Sequence, residues 1–496
     1  MAEENWHVAR LIPTSGINGA DEQERRATSA LLAVVASVRQ FGRALIQPLG
    51  AHAGAITTFI EVPFMLGDKR VYPDGLIRVE RGSKSWTALV EVKTGNNDLA
   101  AEQIENYLDV AREQGFDAVV TISNEIAAMA GQHPTKVDKR KTKKVALHHL
   151  SWSHVLSEAV VQKEHRGVAD PDQAWILGEL IRYLEHPRSG ALEFDDMGPA
   201  WVPVREAVAA GTLRQGDKTA PEVAARFDAL LRFCSLQLGR RLGDEVTMSI
   251  SGKELADPTL RTAAVVGKLV TDGVLEGIIR IPNTVGLLVV TADLPANRIT
   301  CHVDIDSPRV GRPTTRVNWL IRQLRAAPES VRVEAFVMRA RGASTAELLK
   351  DIREDPTVLV ADPTKEIRTF RIAVSTPMGA KRGTGRGSFI DSVADAVNSF
   401  YSDVMQNLKA WTATPPKMRD LPRVSEERPA LVSTALSSQD GAETSNPAKP
   451  PPSAPPSETA ATTADEPPES DAPVVDVAND ITEDEVVDEL RLATIR

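Results

Sequence analysis

Apolar residues recur at helical spacing over residues 21 to about 44, and the most apolar run, 30–38, reads as one face of that helix. Asp21-x-x-Glu24 has the form of a capping box at its start. The pattern then turns strand-like over 55–64, 70–80 and 85–93. Asp98 is placed to cap a helix running to Gln114, which Gly115 ends. Residues 116–123 and 145–150 read as two more strands, followed by a helix from about Ser151 or Ser153. The predicted order is αβββαβ with further elements behind it.

A second α/β pattern occupies 206–413. It predicts helices over 221–238, 258–271, 314–324, 345–352 and 389–411, and strands near 246–250, 275–281, 287–291, 299–305, 331–337 and 367–374. A helical connector, 166–205, built around 172–185, separates it from a first domain at 1–165. After Trp411 there are no aromatic residues, and 13 of the 32 prolines fall there. Such a stretch cannot bury enough apolar surface to offset its ordering entropy, so 414–496 is expected to be a disordered, acidic, Pro-rich tail. Ile481, Val486, Val487 and Leu490 near its end fit either a short acidic helix that docks on a protein partner or a solvated end.

Composition changes this picture in three ways. A length of 496 residues exceeds what one core organises, which agrees with two folded domains. The two cysteines, Cys234 and Cys301, are far apart and without metal-ligand spacing, which excludes a cysteine zinc site or a disulfide framework and suits a reducing cytoplasm. Residues 450–496 carry 12 acidic groups against Arg491 and Arg496, so the whole net charge of −10 belongs to the tail. The rest is neutral overall, leaving local basic clusters free to attract phosphate. No run reaches the roughly 20 apolar residues of a membrane span, and Met1-Ala2-Glu3-Glu4 lacks a signal-peptide pattern. A cytoplasmic protein without a membrane partner is expected.

The candidate chemistry lies in Tyr72-Pro73-Asp74-Gly75 and Val90-Glu91-Val92-Lys93-Thr94-Gly95, on adjacent predicted strands. Side chains alternate along a strand, so Glu91 and Lys93 share one face while Val90 and Val92 pack on the other. Neighbouring strands lie about 5 Å apart, which brings Asp74 beside Glu91. Two carboxylates and a lysine at one sheet edge suit cation-assisted phosphodiester hydrolysis. Asp74, Glu91 and the Val92 carbonyl offer the oxygen ligands Mg²⁺ prefers, with Mn²⁺ as substitute. Lys93 is placed to orient water and balance developing negative charge. A catalytically silent pairing of Asp74 with Lys93 is the competing reading.

These residues, in this order, resemble the PD-(D/E)XK nuclease superfamily. Gln103-Ile104-Glu105-Asn106-Tyr107 is similar to the Gln-x-x-x-Tyr motif of its RecB-like branch, and i, i+4 spacing sets both side chains on one helix face. The resemblance covers about residues 20–160. It implies a restriction-endonuclease-like αβββαβ fold for the first domain, catalytic roles for Asp74, Glu91, Lys93, Gln103 and Tyr107, and a further metal ligand from the first helix. Glu24 is the choice for that ligand, with Glu22 and Glu61 as rivals. Members act in repair, restriction and anti-phage defence, so the expected function is a Mg²⁺-dependent nuclease with nucleic acid, DNA favoured, as its partner. Homodimers are common in such enzymes. Two alternatives remain: a silent nuclease-fold DNA-binding platform, and a regulatory or stress-response protein acting through 206–413.

Lys136, Lys139, Arg140, Lys141, Lys143 and Lys144 form a basic cluster expected to bind phosphates. His133, His148, His149 and His154 surround it but fit no standard metal spacing, so packing or surface roles are expected. In the second domain Arg309, Arg312, Arg316, Arg322 and Arg325 flank Trp319 around a helix start, an arrangement that suits an anion, with Trp319 read as core. The loop 379–388, rich in glycine and basic residues, is not a P-loop, because its lysine precedes the glycines. It reads as a flexible basic loop.

Overall fold

The computed structural model describes residues 7–8, 21–129, 131–380 and 387–413. The tail 414–496, its proposed acidic helix, and Lys381, Arg382 and Arg386 of the glycine-rich loop lie outside the described residues. The described chain is mixed α/β, with two main sheets and a separate hairpin.

The first lobe contains, in order, β1 (His7–Val8), α1 (Asp21–Ser37), α2 (Arg39–Ile46), β2 (Ala55–Ile60), β3 (Phe64–Leu66), β4 (Lys69–Val71), β5 (Gly75–Arg81), β6 (Lys84–Val92), α3 (Ala101–Gln114), β7 (Ala118–Ser123), β8 (Ala146–Ser151), α4 (Trp152–Val160) and α5 (Pro171–Glu185). Its six-stranded sheet runs β1-β2-β5-β6-β7-β8, antiparallel as far as β6 and parallel from β6 to β8. Helices α1, α2, α4 and α5 pack on one face and α3 on the other, so β6 and β7 are buried on both sides. Leu177, Leu180 and Leu184 of α5 belong to this core, although the sequence pattern sets that helix in a connector.

Local departures from the expected elements have identifiable causes. The helix over 21–44 is two helices meeting at 109°, with Val38 extended between them. A Cβ at Gly42 would lie 2.1 Å from the Val35 carbonyl oxygen, so only glycine lets α2 fold this closely onto the end of α1. The capping box expected at Asp21 rests on a side chain outside the described residues. The Glu24 carboxylate reaches Lys93 and Asn97. Asp98 does not cap α3, whose N-terminal flank is Ala100; Gly115 does end α3, at φ +70°. The strand expected over 70–80 is interrupted at Tyr72-Pro73-Asp74, because Pro73 has no N–H for a ladder, and residues 69–71 pair with β3 instead.

The second lobe comprises α6 (Trp201–Ala209), α7 (Ala220–Leu242), β9 (Thr247–Met248), α8 (Gly252–Ala256), α9 (Pro258–Asp272), β10 (Val274–Arg280), β11 (Leu288–Asp293), β12 (Arg298–Asp306), α10 (Pro313–Gln323), β13 (Arg332–Val337), β14 (Thr345–Leu348), α11 (Leu349–Glu354), β15 (Ile367–Pro377) and α12 (Phe389–Asp403). Its antiparallel sheet runs β14-β13-β15-β12-β11-β10-β9. Burial alternates strictly along β12, so one face joins the helices in a core and the other stays partly open. The helix expected over 345–352 begins as edge strand β14, because Thr345–Leu348 pair with β13 and helical residues start only at Leu349. The helix expected over 389–411 ends at Asp403. Among the described residues no single helix is long and apolar enough to cross a membrane; the bent α1–α2 pair is apolar enough, but its apolar residues lie in the first core.

Candidate functional site

The register of the first sheet brings the predicted carboxylates together. Gly75 pairs with Val90 across β5 and β6, which sets Asp74 level with Glu91. β5 stops at Gly75, leaving the Val92 N–H without a strand partner on that side. Asp74 supplies one: its Oδ2 accepts from Val92 N at 2.8 Å. On the other side of β6, Lys93 N donates to Ile122 O of β7 at 2.7 Å. The N–H and C=O of one trans peptide point in opposite directions, so the Val92 carbonyl is turned toward the Asp74 side.

Glu91 is 1% exposed, with Lys93 Nζ 2.7 Å from its Oε1. That approach is poorly aligned, and neither Glu91 oxygen accepts a well-formed hydrogen bond. Burial holds the Glu91 carboxyl above the usual range despite Lys93. Asp74 is raised well above it, first by burial and then by the charge of Glu91. Lys93 Nζ also donates to Glu24 Oε1 at 2.8 Å, and its neighbouring carboxylates hold its pKa above the ordinary lysine value against the opposing effect of burial. A nearly inaccessible carboxylate lacking aligned donors is costly unless a cation shares it.

Of the three candidates for a first-helix ligand, Glu24 reaches the site. Glu22 pairs with Arg26, and Glu61 lies 3.1 Å from Arg25. Glu24 Oε2 accepts from Asn97 Nδ2 at 2.9 Å, so this carboxylate is engaged on both oxygens. Among the described residues no three His, Cys, Asp or Glu side chains form a ready-made metal cage. The donor set that fits a hard divalent cation is therefore Asp74, Glu91 and the Val92 carbonyl, with Glu24 turned to Lys93.

Gln103 and Tyr107 of α3 face the same region. Gln103 Nε2 donates to the Tyr107 hydroxyl at 3.1 Å, which donates to Tyr72 O at 3.1 Å. Burial and the charge of Glu91 push the phenol above its ordinary range, so Tyr107 stays protonated beside the carboxylates. Sequence reasoning missed the braces behind β6. Trp152 Nε1 donates to Lys93 O at 2.9 Å, and Thr94 Oγ1 donates to Gln23 Oε1 at 3.2 Å. Asn124 Nδ2 ties Gly95 O to Gly190 O. These partners lie far apart in sequence and carry no local motif.

Within the basic cluster, Lys141 is turned away from this site. Lys141 is held by Asp109 at 2.7 Å and Glu105 at 3.4 Å, both on α3. Glu105 lies about 200° around the helix from Gln103, and Asp109 about 200° from Tyr107, on the flank away from the carboxylates. Lys136, Lys139, Arg140, Lys143 and Lys144 are exposed. The histidines pack internally: the Thr121 hydroxyl lies 2.7 Å from His133 Nε2 and 2.9 Å from His149 Nδ1, and His149 Nε2 donates to Glu125 O. In the second lobe Arg316 is 4% exposed and donates to Ile367 O and Gly311 O, so it braces the fold rather than meeting a ligand. Arg309, Arg312, Arg322 and Arg325 are exposed, and Trp319 packs against the core.

Comparison with known protein families, curated proteins and solved structures returns no match.

Proposed function

We propose that the first lobe is a Mg²⁺-dependent nuclease of the PD-(D/E)XK kind, acting on phosphodiester bonds of nucleic acid. One observation carries the reading: two carboxylates with raised pKa values face each other at the end of β6, and Glu91 lacks an aligned hydrogen bond beside Lys93. Asp74, Glu91 and the Val92 carbonyl would hold the cation, which when bound polarises the phosphoryl group and acidifies water. Lys93, positively charged and fixed between Glu24 and Glu91, balances charge that develops on the phosphate. Tyr107 and Gln103 fix the backbone at Tyr72 and so the approach of Asp74. DNA is the favoured substrate, and genome maintenance or anti-phage defence the favoured setting.

A second reading has its own support. Lys93 is already shared by two carboxylates, and Asp74 spends one oxygen on the backbone, which suits a silent nucleic-acid-binding platform. Incubation of the protein with plasmid, linear duplex, single-stranded DNA and RNA, in Mg²⁺, Mn²⁺ or EDTA, separates the two. Metal-dependent cutting that disappears in Lys93→Ala is expected. Binding without cutting, unchanged in that variant, would establish the platform instead.

A further inference from the structure

The hairpin of β3 and β4 stands outside both large sheets, immediately before Asp74. Its register pairs Phe64 with Val71, Met65 with Arg70 and Leu66 with Lys69. Phe64 and Val71 are buried in the same core as Ile104, Tyr107 and Leu108 of α3. Because side chains alternate along each strand, Met65 and Arg70 face the other way, to solvent. Met65 is 39% exposed. Tyr72 follows on the same alternation and is 51% exposed, with its hydroxyl 3.4 Å from Arg70 Nη1.

An aromatic ring, a thioether and a guanidinium thus share one outward face, with Lys69 exposed at the turn. Asp68 is the only acid in residues 62–73, and among the described residues no carboxylate engages Lys69 or Arg70. The position of Tyr72 is fixed rather than loose, because its carbonyl accepts from Tyr107 OH, the hydroxyl that senses Glu91. In extended chain Tyr72 lies roughly 6–7 Å along the backbone from Asp74. A fixed exposed aromatic beside a cation is the combination that stacks a nucleobase and holds the adjacent phosphate. A duplex keeps its bases paired and stacked, so only an unpaired base offers such a ring its face.

We infer that Tyr72, with Met65 and Arg70, forms a stacking platform for an unpaired base next to the carboxylate site, so that the substrate entering it is a single strand or a frayed end. This rests on the nuclease reading for its purpose, yet binding measures it separately. The full-length protein is titrated into fluorescently labelled 20-mers: single-stranded DNA, single-stranded RNA and duplex DNA, in EDTA, with anisotropy as readout. Tyr72→Ala is expected to weaken single-strand binding about tenfold while duplex binding stays within about twofold. Tyr72→Phe retains wild-type binding, and Arg70→Ala lowers the salt dependence by about one counterion. Equal loss on DNA and RNA marks pure stacking; loss on one alone supports the platform and also identifies the sugar. Unchanged single-strand binding in Tyr72→Ala, confirmed folded by thermal melting, overturns the platform, as does an equal loss on duplex. If cutting by the wild type requires Lys93 while Tyr72→Ala binds normally, the nuclease reading stands without the platform. A wild type that never cuts, with the tenfold loss present, leaves the platform and removes the nuclease.

Discussion

Asp74 and Glu91 cost the fold something at neutral pH. Each carboxyl has a raised pKa, burial being the first cause, so the folded state resists ionisation that the unfolded chain accepts freely. Above the unfolded carboxylate value the folded protein binds more protons than the unfolded chain, and these two groups subtract stability as pH rises. Asp74→Asn keeps an oxygen for Val92 N and removes one charge. It is expected to raise the melting temperature in EDTA. Wild type should gain several degrees on adding Mg²⁺ or Mn²⁺, and the variant should lose that gain together with cleavage. A variant no more stable than wild type in EDTA would show that the pair is not strained. Lys93→Ala moves stability the other way. It leaves Glu24 and Glu91 without their shared cation and should cost about 2–4 kcal/mol in denaturant unfolding.

The bend between α1 and α2 has a sharper test. In an ordinary helix interior, Gly→Ala stabilises by about 1 kcal/mol. At Gly42 the added methyl would meet the Val35 carbonyl oxygen, a backbone atom that cannot swing away, so Gly42→Ala is expected to destabilise by about 1–3 kcal/mol. Only the sign of the shift in thermal or urea unfolding needs to be read. This bend was illegible in the sequence, since the apolar period runs unbroken through Val38 and its cause is a contact across the fold. Strands β5, β6 and β7 were legible, because apolar runs and turn residues marked them locally. So were Asp74, Glu91 and Lys93, whose alternation and strand adjacency fix their neighbourhood. β14 was not: Thr345–Leu348 pair with β13, and nothing in their own pattern announces that edge. Lys141 was illegible for a related reason. A lysine looks available in sequence, whereas Lys141 is spent on α3 by partners more than thirty residues away.

At the scale of the whole molecule, the two lobes meet along α4 and α7, where Ser157 Oγ donates to Leu236 O, and at the loop after β7, whose Ala127 O accepts from Arg232 Nη1 at 2.8 Å. Beside Arg232 lie His149 and His154, each pushed down to about 4, chiefly by burial, with Arg232 adding repulsion. Burial also lowers His133, His148 and His302. An unfolded histidine titrates near 6.5, so between about 6.5 and 4 the unfolded chain takes up protons the folded one refuses. Stability from these groups is therefore fully present above about 6.5 and declines as pH falls toward 4. Asp74, Glu91, Glu125 and Asp228 have raised pKa values and act in the opposite direction, gaining stability on acidification. A single melting curve against pH mixes the two. The His149→Gln, His154→Gln double variant separates them, because it leaves the carboxylates in place. Its melting temperature should fall less than that of wild type between pH 7.5 and 5, whatever its starting stability. Parallel profiles for the two proteins would mean that the junction histidines accept protons without opposing the fold.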